Sequence, residues 1–424
     1  MPSPAIEKLG RFISRQVGEH PERARRLLHT AYNLVGMQMR LFPPKNVLPA
    51  RCMMQGATAR SMAAGLGKPG RAACVNIFLP CELLHALDIP PVLPEGLSCY
   101  LVSTAAERVF VEAAEERGVP DSYCSYHKIL LGLAETGVMA KPRFVLNTSL
   151  ACDANQLTFR RLARFWDVPH FTVDVPFSAT EDSVAYVADQ LRAMGDFIQT
   201  HTGRTLSEDA LRAAMARSRA TVEGYRRYLE LRAERHLSDE MTSEMLSVFA
   251  VHPMLGSQAA LEYVERLCSQ VAALPEGRRG KRLLWLHTLP HWQDSLRALL
   301  NFREDVEIVG SDMTLDTDLL PDPEHPYESM ARRLVSSSFN GGAARRAERA
   351  VELARRLNAD GAVYFCHWGC KQTSGAAQLV KGRLEEAGFP TLVLDGDGCD
   401  SGNVNDGQMV TRLQAFLELL EGAK

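Results

Sequence analysis

The sequence predicts an α/β protein made of two parallel-sheet halves, preceded by an N-terminal helical segment and joined by a helical bridge. Three observations carry that prediction. Short apolar runs alternate with amphipathic stretches in both halves, the pattern of strand-helix-strand units. A long charged stretch of helical periodicity separates the halves. Both halves repeat one plan of strand, cysteine-bearing loop, helix and strand.

Residues 1–65 read as helical, interrupted by Phe42-Pro43-Pro44-Lys45 and closed by the glycine-rich linker Gly65-Leu66-Gly67-Lys68-Pro69-Gly70. The first α/β half spans 66–182. It opens with a strand over residues 74–79, followed by a helix beginning near Pro80, a residue tolerated in a first turn. Leu83, Leu84 and Leu87 form the buried stripe of that helix. Arg143-Phe144-Val145-Leu146-Asn147 and His170-Phe171-Thr172-Val173-Asp174 are strands flanking a helix over 156–166. The bridge covers 183–275, helical to about residue 274.

The second half, 276–424, begins with the strand Arg282-Leu283-Leu284-Trp285-Leu286-His287. Val306-Glu307-Ile308-Val309, Gly361-Ala362-Val363-Tyr364-Phe365 and Thr391-Leu392-Val393-Leu394 are further strands. Helices over 343–357, 376–387 and 407–421 fill the spaces between and after them. A chain of 424 residues has material for two or three domains.

Composition excludes several classes of function. Lysine and arginine number 48 against 51 aspartates and glutamates, so no basic excess is available to neutralise a nucleic acid. Residues 1–15 lack the apolar core of a signal peptide, and no stretch approaches 18 uncharged apolar residues. The expectation is a cytoplasmic protein with its ten cysteines reduced or bound to metal. Neither Gly65-Leu66-Gly67-Lys68 nor Gly277-Arg278-Arg279-Gly280-Lys281 has the spacing of a phosphate-cradling Walker loop, so the chain is not expected to hydrolyse ATP itself.

Chemistry in an open α/β sheet collects at the carboxyl ends of strands. There the sequence places Cys152, in Ala151-Cys152-Asp153, and Cys366 and Cys370, in Cys366-His367-Trp368-Gly369-Cys370-Lys371. Cys124 lies in Tyr123-Cys124-Ser125-Tyr126-His127-Lys128. Distant cysteines gathered by such loops suit an iron–sulfur cluster, whose irons take thiolates, and equally suit a role as small buried residues. The four-residue separation of Cys366 and Cys370 would fit half a zinc site, but no second pair with zinc spacing follows. Cys399, in Gly396-Asp397-Gly398-Cys399-Asp400, sits in a turn-like loop that also belongs to the cleft side. Cys52, Cys74, Cys81, Cys99 and Cys268 read as packing residues.

Three other side chains are catalytic candidates. Glu82 occupies a first helical turn, where a carboxylate meets the positive end of the helix dipole. His127 and His367 suit acid–base chemistry, or a hydrogen-bonded structural role. Asn340-Gly341-Gly342-Ala343-Ala344-Arg345-Arg346 precedes a long helix, either as an anion-holding terminus or as a plain cap.

From about residue 70 to 421 the chain resembles the 2-hydroxyacyl-CoA dehydratase subunit family, which also includes benzoyl-CoA reductase subunits. The resemblance runs through Phe78-Leu79-Pro80-Cys81-Glu82-Leu83-Leu84-His85-Ala86, Cys124-Ser125-Tyr126-His127-Lys128, Ala151-Cys152-Asp153 and His367-Trp368-Gly369-Cys370-Lys371. It closes on Gly407-Gln408-Met409-Val410-Thr411-Arg412-Leu413-Gln414-Ala415-Phe416. It implies two flavodoxin-like (Rossmann-like) domains and a [4Fe-4S] cluster on three cysteines. Those fall on Cys124, Cys152 and Cys370, with Cys366 the rival for the third place.

The same resemblance implies an oxygen-sensitive lyase or reductase acting on an acyl-CoA substrate. An ATP-dependent iron–sulfur activator protein injects one electron, and a ketyl radical then loses its hydroxyl. It also implies a homologous second subunit, in a heterodimer or a homodimer. Two alternatives stand beside it: a double-cubane-cluster reductase of small molecules, for which Cys74, Cys81, Cys366 and Cys399 supply extra thiols, and a non-catalytic acyl-CoA-binding partner subunit. The absence of a cysteine in Gly310-Ser311-Asp312-Met313-Thr314 counts against the double cubane.

Overall fold

A computed structural model describes residues 4–314, 318–403 and 406–422. Its framework is two four-stranded parallel sheets. The first holds β1 (Ala73–Val75), β2 (Pro91–Val92), β3 (Phe144–Thr148) and β4 (His170–Val173). The second holds β5 (Lys281–Leu286), β6 (Val306–Ser311), β7 (Gly361–His367) and β8 (Thr391–Gly396). Their orders, β2-β1-β3-β4 and β6-β5-β7-β8, are the same order twice, that of the flavodoxin-like doubly wound sheet. The predicted α/β class with two Rossmann-like sheets is therefore the observed one.

Every residue of the central strands β3 and β7 is buried, because helices cover both faces. That accounts for their continuously apolar sequences. In each sheet the strand order reverses beside these central strands, between β1 and β3 and between β5 and β7. Cys152 and Cys370 follow the carboxyl ends of β3 and β7, at those two switch points.

Several elements depart from the sequence expectation. The strand expected over 74–79 ends at Val75, because the Leu79 N–H turns back to the Asn76 carbonyl at 3.1 Å. The Asn76 side chain then ties β1 to β3: its Oδ1 accepts from the Thr148 N–H at 3.0 Å and its Nδ2 donates to Thr148 Oγ1 at 3.2 Å. Strand β2 was not expected. Two residues give no periodicity, and its proline is tolerated only because the strand lies at the sheet edge.

The N-terminal segment folds as three helices, Pro4–Glu19, Pro21–Leu41 and Pro49–Gly65, each opening on a proline whose missing N–H is no loss in a first turn. The bridge contains four helices, Glu181–Thr202, Glu208–Glu234, Ser243–Val251 and Gln258–Ala272. Thr180, Ser207 and Ser257 cap three of them through side-chain oxygens. Packing crosses the chain segments freely. Met330, Ala331, Leu334 and Val335 of the helix Pro326–Val335 join Val75, Leu146, Val187 and Leu191 in the core of the first sheet.

Arg51, wholly buried, locks the N-terminal helices to the bridge. Its guanidinium donates to Glu244 Oε1 at 2.7 Å, Tyr228 OH at 2.8 Å, Ser243 O at 2.9 Å and Ser247 Oγ at 3.0 Å. A buried cation is tolerable only when its donors are satisfied in this way. Among the described residues, no helix is long and apolar enough to cross a membrane.

Candidate functional site

Cys124, Cys152 and Cys370 share one local structure: each is the residue capping a helix N-terminus. The three helices are Ser125–Glu135, Asp153–Trp166 and Lys371–Glu386. A cap position places the thiol beside unsatisfied N–H groups and the positive end of the helix, which favours the thiolate. Opposing this, burial raises the pKa of Cys124, with the neighbouring thiols of Cys370 and Cys152 adding to the effect. Burial and Cys370 likewise push Cys152 up to about 12. The fold thus brings three helix-capping thiols from both halves within electrostatic reach of one another.

Tyr123 fastens two of these loops together. Its hydroxyl donates to the Ala154 carbonyl at 2.9 Å and lies 3.0 Å from Thr158 Oγ1, joining the segment before Cys124 to the helix after Cys152. Ala151, just ahead of Cys152, has φ +85, a strained conformation for a residue with a Cβ.

The Cys124 loop meets the Cys370 loop through backbone as well as side chains. Gly369 has φ +76, and a Cβ on it would fall 2.6 Å from the Cys124 nitrogen. Only glycine permits both the conformation and the approach. His367, fully buried at the end of β7, sets its Nε2 3.2 Å from Cys124 Sγ. Its Nδ1 accepts from the Gly398 N–H at 3.1 Å, so the ring hydrogen is on Nε2 and points to the sulfur.

Asp397 completes this arrangement. Its Oδ1 accepts from Ser125 Oγ at 2.5 Å and from the N–H groups of Cys399 and Asp400 at 2.9 Å. Asn403 donates to its other oxygen at 3.2 Å. Sequence reading named neither Asp397 nor Ser125 as site residues. An Asp-Gly pair after a strand was the available signal, and it reads as an ordinary turn.

Cys366 differs from Cys124, Cys152 and Cys370 in lying within strand β7 rather than at the start of a helix. It is buried in the core of the second sheet beside Val393, and burial, then Asp395, pushes its thiol up to about 12. It also lines a cavity of about 480 Å³ with Asp121, His367, Trp368, Asp395 and Asn403. Its interactions include Cys370, whereas those of Cys124 and Cys152 include Cys370 and not Cys366.

Glu82 is wholly buried and bound bidentately by Arg333, at 2.7 and 3.0 Å, with Ser218 Oγ donating at 3.1 Å. It joins the short helix Glu82–Ala86 to the helix Pro326–Val335. His127 is buried with Nδ1 lacking a hydrogen-bond partner, and burial followed by His367 lowers its pKa to about 3. It is a neutral imidazole at physiological pH.

The remaining cysteines are packed. Cys74 and Cys81 are inaccessible, and Cys81 Sγ donates to the Leu79 carbonyl at 3.3 Å. Cys399 is buried, and Cys99 Sγ donates to the Glu95 carbonyl at 3.5 Å; the neighbouring Cys399 holds the Cys99 thiol well below its ordinary pKa. Gly341-Gly342 caps the helix Ala343–Arg356, and a Cβ on Gly341 would fall 3.1 Å from the Arg345 guanidinium carbon.

Among the described residues, no three histidine, cysteine or acidic side chains converge tightly enough to hold a single metal ion. A polynuclear group needs no such convergence, since each of its metal atoms takes its own thiolate.

Against known proteins, residues 76–420 match the sequence profile of the 2-hydroxyglutaryl-CoA dehydratase D-component. The chain belongs to the 2-hydroxyglutaryl-CoA dehydratase D-component family. It is 21% identical over 375 residues to the (R)-phenyllactyl-CoA dehydratase alpha subunit of Clostridium sporogenes, covering 83% of this chain and 89% of that one. To the lactoyl-CoA dehydratase subunit alpha of Anaerotignum propionicum it is 22% identical, covering 81% and 89%. The (R)-phenyllactyl-CoA dehydratase beta subunit of C. sporogenes matches 38% of the chain and 43% of its own length at 26% identity. Dehydratase subunits of this family thus include both alpha and beta relatives of the chain.

Proposed function

We propose that this chain is the cluster-binding subunit of a 2-hydroxyacyl-CoA dehydratase, eliminating water from a 2-hydroxyacyl thioester. One observation carries the reading: Cys124, Cys152 and Cys370 occupy the N-cap positions of three helices drawn from both halves of the chain. Burial and the neighbouring thiols disfavour the thiolate at Cys124 and Cys152, and a metal cation bound there would favour it. Family membership supports the reaction class.

In this reading Cys124, Cys152 and Cys370 hold a [4Fe-4S] cluster, and Cys366 stays in the sheet core. When bound, the cluster supplies one-electron transfer and Lewis acidity toward a substrate oxygen. An added electron at the thioester carbonyl gives a ketyl radical anion that expels hydroxide; a β-proton is then lost and the electron is given back, so the net change is loss of water. The electron comes from a separate ATP-hydrolysing iron–sulfur activator.

The chain's own residues organise the site. His367 orients the Cys124 thiolate through its Nε2–H. Asp397 clamps Ser125 to the loop after β8 and so keeps the first-half helix seated on the second half. His127 is neutral, and the burial that lowers its pKa to about 3 makes it a poor proton acceptor. A homologous second subunit, as in the alpha and beta relatives, completes the enzyme.

Purification without oxygen, with iron and acid-labile sulfide counted per chain, tests the reading. About four of each, lost in Cys124→Ala and Cys152→Ala, is expected, whereas about eight irons indicates a double cubane. No iron after reconstitution refutes cluster binding and leaves an acyl-CoA-binding subunit.

A further inference from the structure

The cavity of about 480 Å³ beside strands β7 and β8 has no role in the steps above. Its volume is that of a small-molecule site. It lies one side chain away from a cap thiol, because His367 lines it and sets Nε2 3.2 Å from Cys124 Sγ. Tyr123 and Gly369, the neighbours of Cys124 and Cys370, line it as well. Their backbones meet there: a Cβ on Gly369 would fall 2.7 Å from the Tyr123 carbonyl carbon.

Charge decides what can enter. Among the described residues lining the cavity there is no lysine or arginine, whereas Asp121, Asp395 and Asp397 are all present. Asp397 is buried and accepts from Ser125, Asn403 and two backbone N–H groups, the pattern of a carboxylate. His367, 3.9 Å from it, is kept neutral by burial. Arg412, at 3.8 Å, offsets Asp395 in part, and the Asp121 carboxylate meets the Ser122 N–H. An anion entering this space finds fixed negative charge and no cation. The phosphates of a coenzyme A thioester therefore stay outside, and so does a second carboxylate on its acyl chain.

The apolar part of the wall is aromatic. Trp368, 42% exposed, stands on it with Tyr123. An indole face held open beside a cavity is a surface for an apolar group to cover.

We propose that this cavity receives the acyl end of the thioester and that the acyl group is uncharged and apolar, packed on Trp368. The inference rests on the dehydratase reading and narrows its substrate class to 2-hydroxyacyl groups with an alkyl or aryl side chain. The dicarboxylic 2-hydroxyglutaryl group, whose name the family profile carries, does not suit this lining.

The test measures binding rather than turnover. The chain, purified without oxygen with its iron and any second subunit retained, is titrated calorimetrically with phenyllactyl-, 2-hydroxyisocaproyl-, lactoyl- and 2-hydroxyglutaryl-CoA. The best uncharged thioester should bind at least about tenfold more tightly than 2-hydroxyglutaryl-CoA. Trp368→Ala should weaken that uncharged thioester at least about fivefold. Asp121→Lys, at an exposed loop residue, should tighten 2-hydroxyglutaryl-CoA at least about fivefold with Tm unchanged.

A native chain that binds 2-hydroxyglutaryl-CoA as tightly as the others overturns the inference and leaves the dehydratase reading standing. Parental affinities in Trp368→Ala, or a parental preference in Asp121→Lys, overturn it in the same way. A native chain that binds none of the four thioesters overturns the dehydratase reading as well.

Discussion

His367 Nε2 lies 3.2 Å from Cys124 Sγ, a contact between residues 243 apart in the chain, one ending strand β7 and the other preceding the helix Ser125–Glu135. The histidine's orientation is fixed from behind by the Gly398 N–H, which leaves the ring hydrogen directed at the sulfur. Such a donor stabilises a thiolate and fixes the direction of its lone pairs.

On the proposed ligation, His367→Phe removes that donor while keeping an aromatic ring of similar bulk. Loss of an outer-shell partner typically weakens a metal site by about 10–100-fold. Iron retained after gel filtration under chelator should fall accordingly, with the far-ultraviolet circular dichroism unchanged. Iron retention equal to the parent would show that the contact does not support the site.

Gly369→Ala tests the backbone contact at the same junction. The new Cβ would lie 2.6 Å from the Cys124 nitrogen, on a backbone at φ +76. Backbone atoms on both sides leave no flexible group to move. Destabilisation of more than about 2 kcal/mol in urea unfolding is expected, whereas Gly382→Ala, inside the helix Lys371–Glu386 with nothing within 4 Å of the new Cβ, should stabilise by about 0.5–1 kcal/mol.

The buried pair Glu82–Arg333 predicts a strong asymmetry. Removing one partner leaves an uncompensated buried charge, so Arg333→Ala should destabilise by about 3 kcal/mol. Arg333→Lys should recover part of this but not the bidentate geometry. A variant with parental stability and no activity would instead point to catalysis by Glu82.

Glu95 gives a pH dependence of definite sign. Burial pushes its carboxyl up to about 8, and Asn155 donates to only one of its oxygens, at 3.4 Å. The folded chain therefore keeps a proton that the unfolded chain has released between about pH 4.5 and 8. The protonated carboxyl's stabilisation is present at low pH and is lost as pH rises through about 8. Glu95→Gln should remove this slope, raising Tm at pH 8 relative to the parent by about 2–4 °C for each kcal/mol recovered. An unchanged difference between pH 5 and pH 8 would mean the carboxyl is ionised in the fold.

The amino-acid sequence determined the α/β class, seven of the eight strands among the described residues, and the cysteine-bearing loops that precede three helices. Continuous apolar runs such as Val363-Tyr364-Phe365 can be satisfied only inside a covered parallel sheet, so they are legible locally. Pro91-Val92 was not, because two residues carry no period. Tertiary structure decided which thiols meet. Cys366 and Cys370 are four residues apart, yet one packs into the sheet core while the other caps a helix, since strand residues and the residues just past them face different surroundings. It also decided that Glu82 is paired with Arg333 and that Asp397 is bound to Ser125. Those roles depend on partners brought from distant segments by sheet order and helix packing, and no local spacing records them.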